Sequence, residues 1–346
     1  MDPGSAATPI DDPRGQLELL VEQTGVDATN ILVARAHTAS RVAELKTAFA
    51  AAEPMASNLA ICAFGSWARQ ELTQGSDDDW AVIVGGDFAD DDAEVVAAIT
   101  LARGHLGGDG HAPGSQSVFG CPFAVEKLVE HIGLDSDTNT NLTRRMLLLL
   151  ESRELAGTIH ADAWRTVLRR YLDRGLKDFR PPRFLLNDLV RYWRTICVDF
   201  EGKDPDGDGN DPKWVSRNAK LRTSRKLLFA GGLIPILLCE LCAKAEIAGF
   251  LERWLTAPPL DRIAAAFLWA DAEEEGARAV AAYERWMAIQ ADERARAELK
   301  QLTQATRGAS DLFREISEIG RDFERALLVL LLESRLGPLG KAYVVF

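Results

Sequence analysis

Two short apolar runs stand close together early in the chain, NLAICAF (Asn58–Phe64) and the stretch from Asp79 to Val84 that contains WAVIV. Runs of this length bounded by turn residues are the pattern of buried strands. Gly65-Ser66 ends the first run and turns the chain into a helical segment, WARQELT. Upstream, apolar residues three and four apart predict helix from Gln16 to about Ala52. Downstream, Asp90–Gly104 reads as helix, Gly104–Gly114 (GHLGGDGHAPG) as a glycine-rich loop, Gln116–Phe119 as a third strand and residues 122–131 as helix. Beyond Asn141 strand signals fade, and helical patterns follow over 141–154, 161–178, 183–201, 212–229, 234–253, 260–291 and 308–335. The change of period predicts an α+β chain in two parts. A small mixed-sheet domain is expected over 16–140 and an all-helical domain over 141–346, with residues 1–15 as a disordered lead-in.

Composition narrows the class. The chain has 346 residues, 47% of them hydrophobic and 27% charged, the balance of a globular protein long enough for about two domains. A net charge of -12 argues against broad attraction to nucleic acid or anionic membrane, which depends on clustered Lys and Arg. The five cysteines (Cys62, Cys121, Cys197, Cys239, Cys242) sit in apolar surroundings and read as reduced core residues, the C-x-x-C of Cys239 and Cys242 included. The amino-terminal residues are acidic where a secretory signal needs positive charge, and the most apolar run, ALLVLLL (Ala326–Leu332), falls short of the ~20 residues of a membrane span. A cytoplasmic protein with no membrane association is expected. His37, His105, His111, His131 and His160 show no metal-site spacing.

Against this background the three consecutive aspartates before the second strand call for a partner. In an extended segment side chains alternate, so Asp77 and Asp79 share a face and Asp78 takes the other. Two adjacent carboxylates repel one another, and Mg²⁺, with Mn²⁺ as an alternative, is the natural compensating charge, held by the carboxylates together with substrate phosphates. The Gly65-Ser66 turn offers backbone N–H groups and a hydroxyl to a triphosphate. The string GSWARQELTQGSDDDWAVIV, a Gly-Ser pair ten residues ahead of D-x-D and an apolar strand, resembles the signature of the polymerase-beta-like nucleotidyltransferase superfamily. It is especially similar to the bacterial members that include nitrogen-signalling uridylyltransferases and antibiotic nucleotidyltransferases.

The resemblance is specific over about 25 residues and implies a nucleotidyltransferase domain over 16–140. It also implies transfer of a nucleoside monophosphate from an NTP to an acceptor hydroxyl. Gly65 and Ser66 match the phosphate-binding turn, Asp77 and Asp79 the catalytic metal pair, and Arg69 a basic residue that commonly follows Gly-Ser. Family members usually carry a third acid on a later strand. The segment QSVFGCPF has none, and Glu126, Asp135 and Asp137 are the nearest acids after it. Related enzymes often hold the β- and γ-phosphates with Lys, Arg and Ser from their helical part, which makes Lys220 and Ser224, with Arg217 a weaker candidate, the expected nucleotide contacts there. The segment DPDGDGND (Asp204–Asp211) starts like an EF-hand loop, but its twelfth position is Val215 where a bidentate Glu belongs, so it reads as an acidic connection. The acceptor is open: a protein, a small molecule or a nucleotide is favoured over nucleic acid. A catalytically inactive nucleotide-binding or partner-binding module, or a nucleotide second-messenger synthase, would share the same signature.

Overall fold

The computed structural model describes residues 8–52, 54–108, 111–112, 118–203, 211 and 213–344. The helix expected from Gln16 is two helices, α1 (Gln16–Thr24) and α2 (Thr29–Ala50). Gly25 at φ 68° makes the break, its N–H donating to Val21 O in a left-handed cap that glycine adopts without strain. There follow β1 (Leu59–Phe64), α3 (Ser66–Arg69), β2 (Trp80–Val84), α4 (Ala93–His105), β3 (Pro122–Ala124), α5 (Val125–Val129), α6 (Asn139–Leu150), β4 (Ser152–Gly157) and α7 (His160–Leu172). The rest is helical: α8 (Arg183–Gly202), α9 (Trp214–Arg222), α10 (Ser224–Leu238), α11 (Lys244–Thr256), α12 (Pro259–Trp269), α13 (Glu273–Ala291), α14 (Glu293–Gln301), α15 (Asp311–Leu328) and α16 (Gly337–Val344). The fold is α+β, a small mixed sheet together with many helices.

The chain divides into two compact units, one of Val33–Gly175 and one formed by the chain up to Leu32 and from Leu176 onward. The sheet unit runs past residue 140 because β4 belongs to its sheet. In the sheet order β3-β2-β1-β4, β1 pairs antiparallel with both β2 (Leu59↔Val84 to Ala63↔Trp80) and β4 (Ala60↔Gly157 to Phe64↔Ser152), while β3 runs parallel to β2. Every residue of β1 and β2 is buried, which explains their unbroken apolar runs. β4 is an edge strand, SRELAG, with Leu155 alone buried, and its first half, Ser152–Glu154, falls where helix was expected. Gly157, at φ 91°, lets it close on β1: a Cβ there would lie 2.2 Å from Leu59 O. The strand expected at Gln116–Phe119 is found instead at Pro122–Ala124; Gln116 and Ser117 lie outside the described residues. One face of the sheet packs Leu59, Ile61, Ala63, Val82 and Val84 against Val42, Leu45 and Phe49 of α2 and Val95, Ala98 and Ala102 of α4.

The helical unit is tied by buried charges that cap helix ends. Glu284 accepts from the N–H groups of Asn30 (2.7 Å) and Ile31 (3.0 Å), two of the orphan donors at the start of α2. Arg262 donates to Leu255 O (2.6 Å) and Ala257 O (2.8 Å) at the end of α11. Residues 8–15 of the expected disordered lead-in are fixed here: Gly15 N–H donates to Asp261 at 2.9 Å, and Ile10 O accepts from Trp254 Nε1 at 2.9 Å. Cys239 and Cys242 are buried, their thiols turned to Pro235 O and Leu238 O; burial raises the pKa of both, that of Cys242 to about 11, as befits unreactive core residues. Among the described residues no helix is long and apolar enough to cross a membrane.

Candidate active site at the mouth of the sheet

The site begins where β1 ends. Phe64 N–H donates to Asp79 O at 2.8 Å, so the exit of β1 and the entrance of β2 lie side by side. Gly65 then adopts φ 62°, ψ -133°, a conformation that side chains disfavour, and a Cβ there would come within 3.1 Å of Asp79 Oδ2. Glycine is thus required for its backbone angle and for its closeness to a carboxylate. Gly65→Ala is expected to cost about 1–3 kcal/mol in strain and to push Asp79 aside. Thermal melting should show a lower midpoint, and an alanine variant melting like the parent would contradict this geometry.

The expected helix WARQELT is one turn, Ser66–Arg69, ended by Gln70 at φ 63°. Its early end turns Glu71 and Leu72 into the interior, where Leu72 N–H donates to Thr38 Oγ1 at 2.9 Å. Arg69 is not poised as a simple phosphate contact: its Nε donates to Glu71 at 2.8 Å and an Nη to Glu151 at 2.5 Å. Glu151 caps the end of α6 just before β4 and is buried. Burial raises its pKa, Arg69 pulls it down, and Asp79 and Glu71 push it up again. Glu151 is therefore the acid that adjoins Asp79, and sequence reasoning missed it because it closes a helical apolar run.

The nearest acids after the QSVFGCPF segment stand elsewhere. Glu126 accepts from Gly86 N–H at 2.9 Å, past the far end of β2 from Asp79. Asp137 is buried in a bidentate pair with Arg145, at 2.8 and 2.7 Å. Asp135 is exposed in the turn before α6. Of the three aspartates, Asp77 is exposed and Asp79 half-buried, while Asp78 turns to other partners: its Oδ1 accepts from Trp67 Nε1 at 3.0 Å and its Oδ2 from Gly107 N–H at 2.8 Å.

No protein-family model and no curated protein matches this chain. What the residues suggest about chemistry is carried by their own geometry. Asp77 and Asp79 carry the oxygen donors that a hard divalent cation could take, with the buried Glu151 near Asp79. Among the described residues no group of three or more His, Cys, Asp or Glu side chains is gathered as a metal cage.

Lys220 and Ser224 belong to the helical unit, as does Arg217, whereas Gly65, Ser66, Arg69, Asp77 and Asp79 belong to the sheet unit. Lys220 is exposed near the end of α9 and Ser224 is buried at the start of α10. Basic side chains of α8, α9 and α10 are paired within the unit: Arg217 with Asp211, Lys226 with Glu324 at 3.1 Å and Arg191 with Asp188 at 3.6 Å. The acidic connection is outside the described residues except for Asp211.

A serine and a histidine meet beside Glu151 without forming a nucleophile and base. Ser152 Oγ donates to Leu148 O at 2.7 Å, so at 2.8 Å from His160 Nε2 it can only accept. Burial, with some repulsion from Lys46, lowers the His160 pKa to about 4. The folded histidine therefore holds its proton more weakly than the unfolded one. Its contribution to stability is present above pH ~6.5 and is lost as pH falls toward about 4, by up to about 3 kcal/mol. Urea unfolding at pH 7 and pH 4.5 should show His160→Asn losing less stability on acidification than the parent; equal losses would refute the assignment.

Proposed function

We propose that the chain is a metal-dependent nucleotidyltransferase that moves a nucleoside monophosphate from an NTP to an acceptor hydroxyl and releases pyrophosphate. The observation that carries this reading is the meeting of the glycine-dependent turn at Gly65 with Asp79 at the mouth of a buried antiparallel strand pair. Asp77 and Asp79 would hold Mg²⁺ or Mn²⁺. A cation held there neutralises phosphate charge that would otherwise repel an attacking oxygen. The Gly65-Ser66 backbone and the Ser66 hydroxyl would position the β- and γ-phosphates. The acceptor oxygen then bonds to the α-phosphorus as the bond to the β-phosphate bridging oxygen breaks, and the hydroxyl proton leaves to solvent. Arg69 neutralises Glu71 and Glu151 beneath the turn rather than serving only the nucleotide.

With its net charge of -12 the chain suits a protein, small-molecule or nucleotide acceptor better than nucleic acid, and a second-messenger synthase is the case in which the acceptor is itself a nucleotide. The lack of a gathered three-ligand cage among the described residues favours a second reading, a module that binds nucleotide without turnover. Magnesium commonly takes only one or two protein carboxylates, which keeps the enzyme ahead. The deciding experiment incubates the full chain with each of the four α-labelled NTPs and Mg²⁺, with and without candidate acceptors. Pyrophosphate release that disappears in Asp77→Ala and Asp79→Ala supports the enzyme, whereas bound but intact nucleotide supports the module.

A further inference from the structure

The residues before β2 are not yet paired as a strand, and three of their attachments reach other elements and loops. The first is Ser76 O, 2.7 Å from His111 Nδ1; a carbonyl only accepts, so that nitrogen carries the proton. The second is Asp78, whose N–H donates to His111 O at 2.9 Å and whose carboxylate takes Trp67 Nε1 on one oxygen and Gly107 N–H on the other. The third is Asp79 O, which accepts from Phe64 N–H. Asp77 is bracketed by the first two attachments and Asp79 by the last two. The Asp78 attachment joins most: Trp67 lies two residues after Gly65, and Gly107 lies in the loop after α4. A single carboxylate thus ties the glycine turn, the aspartate segment and that loop together.

We propose that Asp78 is a positioning residue, which by accepting from Trp67 Nε1 and the Gly107 amide fixes Asp77 and Asp79 in the arrangement that takes a divalent cation. The inference rests on the nucleotidyltransferase reading of the same site. A bystander carboxylate would have been left to water. Here both oxygens are engaged by donors from different parts of the chain, one of them an indole that is buried apart from this contact. Partners that orient metal ligands typically govern metal affinity by about 10–100-fold.

The test measures Mn²⁺ binding to the full chain, by the electron paramagnetic resonance signal of free Mn²⁺ in the presence of a non-hydrolysable NTP, alongside thermal melting. Asp78→Ala is expected to weaken Mn²⁺ binding about tenfold or more. Trp67→Phe, which changes no charge, is expected to weaken it severalfold, and Asp78→Asn, which keeps an acceptor for one donor only, to fall between. The variants are compared at temperatures well below their melting midpoints, so that lost binding is not lost folding. Unchanged binding in Asp78→Ala while Asp79→Ala abolishes it would overturn the proposal. So would weakening in both Asp78 variants with none in Trp67→Phe, since that would reduce Asp78 to a charge acting through space. If the parent chain takes up no Mn²⁺ at all, the nucleotidyltransferase reading fails first and this inference falls with it.

Discussion

Asp79→Ala is expected to lower kcat/KM for pyrophosphate release by about 10³-fold while leaving the fold intact. The first part follows from position. Asp79 is the carboxylate closest to the Gly65 turn, and it shares its surroundings with Glu151, whose pKa it helps to raise. The second part follows from how the segment is held. Asp79 contributes its backbone carbonyl to Phe64 N–H, a bond that alanine keeps. The β1–β2 junction should therefore survive as turnover collapses, and thermal melting of the variant separates loss of a functional ligand from loss of structure. Asp77→Ala should behave alike. Steady-state assays over a range of Mg²⁺ concentrations check this, and turnover within tenfold of the parent at every concentration would remove Asp79 from the reaction.

How far the fold could be read in advance depended on burial. β1 and β2 were legible because they are buried on both faces and so appear as unbroken apolar runs. β4 was not, since an edge strand with Arg153 and Glu154 in its middle carries neither alternation nor β-branched residues; its pairing with β1 is fixed by tertiary contact and by Gly157. β3 was shifted because Pro122, which suppresses a strand reading, is tolerated at a strand's first residue. The pairing of Gly65 with Asp79 was implicit in the spacing of the two motifs. The bonds of Arg69 to Glu71 and Glu151 were not, because Glu151 is 82 residues away in sequence and nothing local marks it as a partner. Likewise Asp78, which alternation turns away from its neighbours, shows its purpose only once Trp67 and Gly107 are placed beside it.

Asp137→Ala is expected to destabilise the sheet unit by about 3–5 kcal/mol, the usual cost of stranding one member of a buried ion pair. The side chains of Arg145 and Asp137 are both 0% exposed. Besides its two bonds to Asp137, the guanidinium donates to Leu128 O at 2.9 Å and to Tyr171 OH at 2.9 Å, so it joins α5, the turn before α6, and α7. Burial alone would lower its pKa, but Asp137 and Tyr171 more than offset that, and the arginine stays charged. Removing the aspartate takes the bidentate partner from a desolvated cation. Removing both charges, as in Asp137→Ala combined with Arg145→Met, should cost clearly less than the sum of the single changes, because the second substitution abolishes the stranded charge left by the first. Tyr171→Phe removes one neutral partner and should cost only about 1 kcal/mol. Urea unfolding of the four variants gives the cycle directly, and additive costs would show that the pair is not coupled. Because α6 runs from this lock to Glu151, the same variants should also reduce turnover, through displacement of Glu151 from Arg69 and not through any contact with nucleotide. A weakened lock with turnover per folded molecule unchanged would confine Arg145 to stability alone.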